Sequence, residues 1–174
     1  DKYYDDNAWL VIAFLEAYET NHDPRYLKRA SETLKFVLSG WDDECGGGIW
    51  WHQEHKDGTK NACSNGPSAV GCLRLAKFHN GAKADALVAQ GRQIVDWTVA
   101  ALQDDDGLFE DRKVVATGEV KRGKLTYNSA LMLRALLGLY RATGNEQYLT
   151  QARQIGKAAD WFLDRRTGVY RDAL

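Results

Sequence analysis

Apolar positions along the chain fall into two kinds of helical segment that alternate. Segments near 7–21, 66–80 and 128–143 are apolar around most of their circumference, as in Ala8-Trp9-Leu10-Val11-Ile12-Ala13-Phe14-Leu15, and predict helices buried on all sides. Between them lie one-sided segments. Leu27, Ala30, Leu34, Val37 and Leu38 keep the helical period, as do Leu87, Ile94, Trp97 and Ala101, and then Leu149, Ala152, Ala159 and Phe162. Asp23-Pro24 supplies a cap and a first-turn proline, and Gly144 suits a C-terminal stop.

The alternation repeats about every sixty residues. Tyr18 to Leu27, Phe78 to Leu87 and Tyr140 to Leu149 align without gaps, at offsets of 60 and 62. Gly48-Ile49-Trp50, Gly107-Leu108-Phe109 and Gly168-Val169-Tyr170 keep step with them, and Trp97 and Trp161 each follow an Asp. Such a period is too long for tetratricopeptide repeats, which run near 34 residues. Inner helices buried all round with amphipathic ones behind them describe an all-α toroid of helical hairpins. An α-solenoid scaffold is the competing reading. Against it stand the connections 41–62 and 103–125, longer than a simple helical stack needs and of the kind that carries function.

In a ring of this kind, each long loop leaves an outer helix and enters the next inner one. All of them therefore lie at the end where inner helices begin. Asp5 and Asp6, set before a helix expected from Asn7 to about Asn21, fall at that end, and the same register places Asn65, Tyr127 and Asn128 there. The positive ends of helix dipoles at this mouth favour negative charge.

Composition narrows the chemistry. A chain of 174 residues with 44% hydrophobic residues supports one core and one domain, 1–174. The formal charge of −1 gives no basic stripe for nucleic acid, and no apolar run is long enough for a membrane span. Cys45, Cys63 and Cys72 are an odd number without CxxC spacing, so neither a disulfide framework nor a zinc site is indicated. The start, Asp1-Lys2-Tyr3-Tyr4, has no signal-peptide pattern and no Met, from which a removed leader or a fragment is expected. Six Trp and eight Tyr exceed what one small core usually needs, and aromatic faces suit sugar rings.

Two adjacent acids suit glycosidic cleavage, which uses one carboxyl as acid and a second, about 5–5.5 Å away in retaining enzymes, as nucleophile. Proximity also raises the pKa of one of the pair, the condition for a proton donor. An Asp pair can equally be a helix cap; the convergent mouth favours catalysis. Asp42-Asp43 and Asp104-Asp105-Asp106 read as turn formers. Asp111 follows the repeated turn and is expected to meet substrate hydroxyls. Gly46-Gly47-Gly48 before Ile49-Trp50-Trp51 suggests a flexible loop carrying tryptophans for sugar stacking, since core packing does not call for three glycines. His52 and His55 form HxxH in a loop rather than a zinc-protease helix, and no metal is expected. Tyr4, Trp50, Trp51, Asn65, Asp111, Tyr127 and Asn128 are thus the expected substrate-binding residues, with Asp5 and Asp6 catalytic.

Tyr4-Asp5-Asp6-Asn7-Ala8-Trp9, Trp41-Asp42, Gly46-Gly47-Gly48-Ile49-Trp50-Trp51, Lys60-Asn61-Ala62 with Asn65, and Thr126-Tyr127-Asn128 together resemble glycoside hydrolase family 76, the α-1,6-mannanases, over almost the whole chain. The resemblance implies an (α/α)6 barrel, cleavage of α-1,6-mannan with retention, Asp5 as nucleophile and Asp6 as acid/base. It implies α-mannan or a manno-oligosaccharide as partner, no cofactor, and an extracellular, periplasmic or cell-surface location. Fungal relatives are thought to transfer sugar rather than hydrolyse. Twelve helices make such a ring and six are expected here. About half of the ring is therefore anticipated, the remainder coming from a longer chain or from a second copy. Other toroid enzymes, such as unsaturated glucuronyl hydrolases or sugar epimerases, and a non-catalytic carbohydrate-binding or scaffold protein are the alternatives.

Overall fold

The structure, a computed structural model, describes residues 1–54 and 58–172. Six helices run α1 (Tyr4–Asn21), α2 (Pro24–Leu38), α3 (Ala62–Ala76), α4 (Ala82–Leu102), α5 (Thr126–Thr143) and α6 (Glu146–Ala158). Helix α3 packs against α1 on one side and α5 on the other, while α2, α4 and α6 back α1, α3 and α5 as the second members of three hairpins.

Burial follows this order. Every residue of α3 is buried, as its apolar circumference predicts, because it alone has an inner neighbour on both sides. Helix α1 has such a neighbour on one side only, and Trp9 and Leu10 remain 42% and 47% exposed. The inner helices approach closely through small residues: a Cβ at Gly71 of α3 would lie 3.0 Å from Val11 of α1. Arg74 of α3 bonds Glu16 of α1 at 2.8 Å and Glu19 at 2.5 Å, and Glu16 also reaches Arg134 of α5 at 3.4 Å. Helix α2 starts on the expected cap, with the Asp23 side chain accepting from Arg25 N. Gly144 ends α5 in the left-handed conformation.

The long connections carry short strands. β1 (Thr59–Asn61), β2 (Arg112–Val114) and β3 (Val120–Lys121) form one antiparallel sheet, and β4 (Leu163–Asp164) pairs with β5 (Val169–Tyr170). Since β1 precedes α3 and β2 lies in the loop before α5, their pairing joins two successive loops at the end where the inner helices begin.

Candidate active site

Helix α1 starts three residues earlier than its apolar pattern indicates, so Asp5 and Asp6 sit inside its first turn rather than before it. The cause lies in the loop. Tyr3 is extended and offers no side-chain cap, and Tyr4 N donates instead to Trp51 O at 2.9 Å. The next hairpin repeats this device, with Ala62 N donating to Asp111 O at 2.9 Å. In the third, Thr126 N donates to the Asp172 carboxylate at 2.6 Å. Trp51, Asp111 and Asp172 are therefore equivalent, each seated at the first residue of an inner helix, and the second residues of those helices are Asp5, Cys63 and Tyr127.

These six residues form the mouth. Asp5 is half-buried; its Oδ2 accepts from the Trp51 indole Nε1 at 3.0 Å and lies 3.8 Å from Cys63 Sγ. Its Oδ1 is buried without a hydrogen-bond partner among the described residues. Burial raises the Asp5 pKa above the ordinary carboxylate value; the Trp51 indole and the Asp6 backbone pull it down, and the Asp6 charge adds to the rise. Asp6 is exposed beside it. Burial, then the charges of Asp5 and Asp111, push the Cys63 thiol up to about 12. Tyr127 is 37% exposed, and its hydroxyl is likewise pushed up to about 12, by burial first and then by Cys63, Asp111, Asp5 and Asp172. Both groups are thus neutral donors among carboxylates. Asp111 is ion-paired with Arg112.

Several expected substrate contacts are placed elsewhere. Tyr4 is buried and stacks on Phe36 at 5.0 Å between ring centroids, a core position. Trp50 is buried too, its Nε1 donating to Asp42 at 2.5 Å. Asn65 is enclosed: its Oδ1 accepts from Ile49 N at 2.8 Å, and its Nδ2 donates to the carbonyls of Ile49 and Asn61. Tyr4 thus packs against α2, Trp50 is tied within its own loop and Asn65 ties that loop to α3, and all three are buried, which corrects their assignment to substrate contact. Asn128 is also enclosed, and neither amide atom has a partner among the described residues. It is the third residue of α5 whereas Asn65 is the fourth of α3, so the two are not equivalent. The fourth residue of α5 is Ser129, which braces its own loop by accepting from Phe109 N at 3.2 Å.

The glycine run has a packing role that the sequence reading denied it. A Cβ at Gly47 would come within 2.6 Å of the Trp41 ring, and one at Gly48 within 2.7 Å of Trp97. Ile49 bridges to Trp41, Phe109 to Gln103 and Tyr170 to Leu163, so Gly47, and not Gly48, matches Gly107 and Gly168. Three consecutive glycines hid a slip of one residue. Asp42 pairs with Lys60 and Asp104 and Asp106 with Lys124, so these acids hold lysines as well as turns. His52 Nδ1 lies 2.8 Å from Asp1 Oδ2, and His55 of the HxxH pattern lies outside the described residues. Sequence reasoning missed Cys63 and Asp172 as mouth residues; only the three-dimensional register finds them.

Comparison with known proteins places the chain in a family and a fold. The family model of glycosyl hydrolase family 76 matches residues 1–173. The α-mannanase BT2949 of Bacteroides thetaiotaomicron, described as a member of that family, is 33% identical, with a TM-score of 0.87 over 92% of this chain and 45% of that one. An α-1,6-mannanase of Salegentibacter sp., solved as an inactive variant with two adjacent aspartates changed to asparagine and in complex with α-1,6-mannotriose, is 30% identical with a TM-score of 0.83 over 91% of this chain and 47% of that one. The meiotically up-regulated gene 191 protein of Schizosaccharomyces pombe is 32% identical over 147 residues, 78% of this chain and 33% of that protein. The chain thus spans about half the length of the solved relatives and a third of the yeast one. Its three hairpins correspond to about half of an (α/α)6 toroid.

Proposed function

The chain belongs to glycosyl hydrolase family 76, and from that membership we propose that it carries the catalytic carboxylates for cleavage of α-1,6-linked mannan with retention of configuration. The observation that supports this most is Asp5-Asp6 in the first turn of α1, with Trp51 and Tyr127 at the same mouth. A relative with two adjacent aspartates replaced is inactive and holds α-1,6-mannotriose. In the proposed reaction Asp5 attacks the anomeric carbon while Asp6 protonates the departing glycosidic oxygen. Water then attacks the glycosyl ester, gives its proton to Asp6, and releases Asp5 as a carboxylate. Trp51 offers its ring face to a mannosyl residue, and Tyr127, Asp111 and Asp172 bind hydroxyls. The rest of the ring comes from a longer chain or from a second copy, and the enzyme works outside the cytoplasm on wall or environmental mannan.

The upward shift at Asp5 favours a second reading, in which Asp5 donates the proton and Asp6 attacks. Azide separates the two. With an Asp5→Gly variant of the full-length protein, azide entering at a lost nucleophile gives the β-mannosyl azide, and azide intercepting the glycosyl-enzyme of an acid/base variant gives the α-anomer. Separate Asp5→Asn and Asp6→Asn variants are each expected to lose about a hundredfold or more of turnover on α-1,6-mannan. Near-normal turnover in both ends the assignment.

A further inference from the structure

Asp5 is held by side chains of two different elements, and both act on the same oxygen. The Trp51 indole reaches Oδ2 from the loop before β1 at 3.0 Å, and the Cys63 thiol reaches it from the first turn of α3 at 3.8 Å. The two contacts differ in what stands behind them. Trp51 is half-buried and lies in a surface connection. Cys63 belongs to the one inner helix that is buried along its whole length, and its own residue is only 8% exposed. A single donor lets a carboxyl swing about its Cβ–Cγ bond. A second donor from a separate direction removes that freedom, and one anchored in α3 ties the carboxyl to the most enclosed element of the fold.

We propose that Cys63 is a positioning residue: its S–H donates to Asp5 Oδ2 and, together with the Trp51 indole, fixes the plane of the Asp5 carboxyl against α3. This rests on the reading of Asp5 as a reacting carboxylate. The thiol serves as a hydrogen-bond donor and takes no covalent part. Burial and the neighbouring charges of Asp5 and Asp111 keep it protonated through the physiological range. The location fits a dedicated contact, because Cys63 occupies in α3 the place that Asp5 occupies in α1. A thiol is a weak donor but tolerates a long contact, and its C–S bond carries the donor farther toward Oδ2 than a C–O bond would.

Among the described residues, the titratable groups that interact with Asp5 are Asp6 on its own helix, Cys63 on α3 and Tyr127 on α5, with Asp111 of the loop before α5 beside the last two. Of these, Cys63 is the one that donates a hydrogen bond directly to the carboxyl. Removing it therefore has a signature that a packing role lacks. In the full-length protein with carboxyl-labelled aspartate, carbon NMR follows the Asp5 titration, assigned by its absence in Asp5→Asn. In Cys63→Ala the Asp5 midpoint is expected to move up. kcat is expected to fall about fivefold while KM stays within about twofold, the scale of one weak hydrogen bond to a charged group. Cys63→Ser, which keeps a donor at about the volume of alanine, is expected to recover part of both, and because the two variants leave nearly the same cavity the difference between them belongs to the donor.

An Asp5 midpoint that stays in place in Cys63→Ala overturns the inference whatever the activity. So does a kcat equal to that of the parent protein, or a serine variant no better than the alanine one. A midpoint that moves in a protein whose turnover is indifferent to Asp5→Asn instead overturns the functional reading and leaves the contact standing.

Discussion

The surroundings of Asp5 work against its charge. Its carboxyl is half-buried, one oxygen is without a partner among the described residues, and its pKa lies above the ordinary value of 3.8. A raised folded-state pKa means that the fold favours the protonated acid. That contribution to stability is complete below 3.8 and is lost as pH rises through the higher folded value. The ionised carboxylate is therefore less favourable to the fold than the protonated acid. Asp5→Asn is expected to raise the melting temperature at neutral pH while abolishing turnover, and the gain should vanish in melts run below 3.8. An unchanged or lower melting temperature at neutral pH would show that Asp5 is better solvated than its burial implies. Trp51→Phe tests the opposing influence. Phenylalanine keeps an aromatic face but lacks the N–H that lowers the Asp5 pKa. The acid limb of kcat/KM should move to higher pH, and a limb that does not move would mean that Asp5 ionisation does not govern it.

The loop that carries Trp51 is held by one buried cation. Lys60 Nζ lies 2.6 Å from Asp42 Oδ1, 2.8 Å from Glu44 O and 2.7 Å from Gly47 O, with the Trp50 ring 5.0 Å away. Its side chain is fully enclosed while Asp42 is partly open to solvent. Lys60→Met fills a similar volume but takes the donor from the carbonyls of Asp42, Glu44 and Gly47 and the ion-pair partner from Asp42, and is expected to cost about 3 kcal/mol in denaturant unfolding. A loss below about 1 kcal/mol would mean that water replaces the ammonium there. None of this could be read from Lys60-Asn61-Ala62, since a lysine beside a strand is ordinarily solvent-facing. The helices themselves were legible, from an all-round apolar pattern and from a one-sided pattern from Leu27 to Leu38, but the inner helix expected over 66–80 lies four residues earlier, at Ala62–Ala76, and 77–80 fall outside it unburied. The start of α1 was not: its cap is the carbonyl of Trp51, far away in sequence. For the same reason Tyr4, Trp50 and Asn65 read as mouth residues. Sequence places them at the correct end of the helices, and only packing decides whether they face sugar or core.

At the scale of the whole molecule, the difference between α1 and α3 is a difference in neighbours. Both are apolar all round, yet α3 is covered on both sides and α1 exposes Trp9 and Leu10. Helix α5 differs: Arg134 and Arg141 are exposed, and Arg134 reaches back across α3 to Glu16 of α1. An exposed tryptophan and leucine on a helix of this kind are what a further inner helix would cover, as α3 covers Val11 through Gly71. If the remainder of the toroid supplies that helix, residues 1–174 produced alone should bind a hydrophobic dye and show a mass that rises with concentration in sedimentation. Leu10→Glu should suppress both effects, because a charge on the flank opposes burial without entering the core behind it. The longer protein should show neither effect, and the same Leu10→Glu change there should lower its melting temperature, since the position is then interior. A monodisperse 174-residue monomer that binds no dye would place α1 at a true outer edge, and the catalytic mouth would have to be complete within three hairpins.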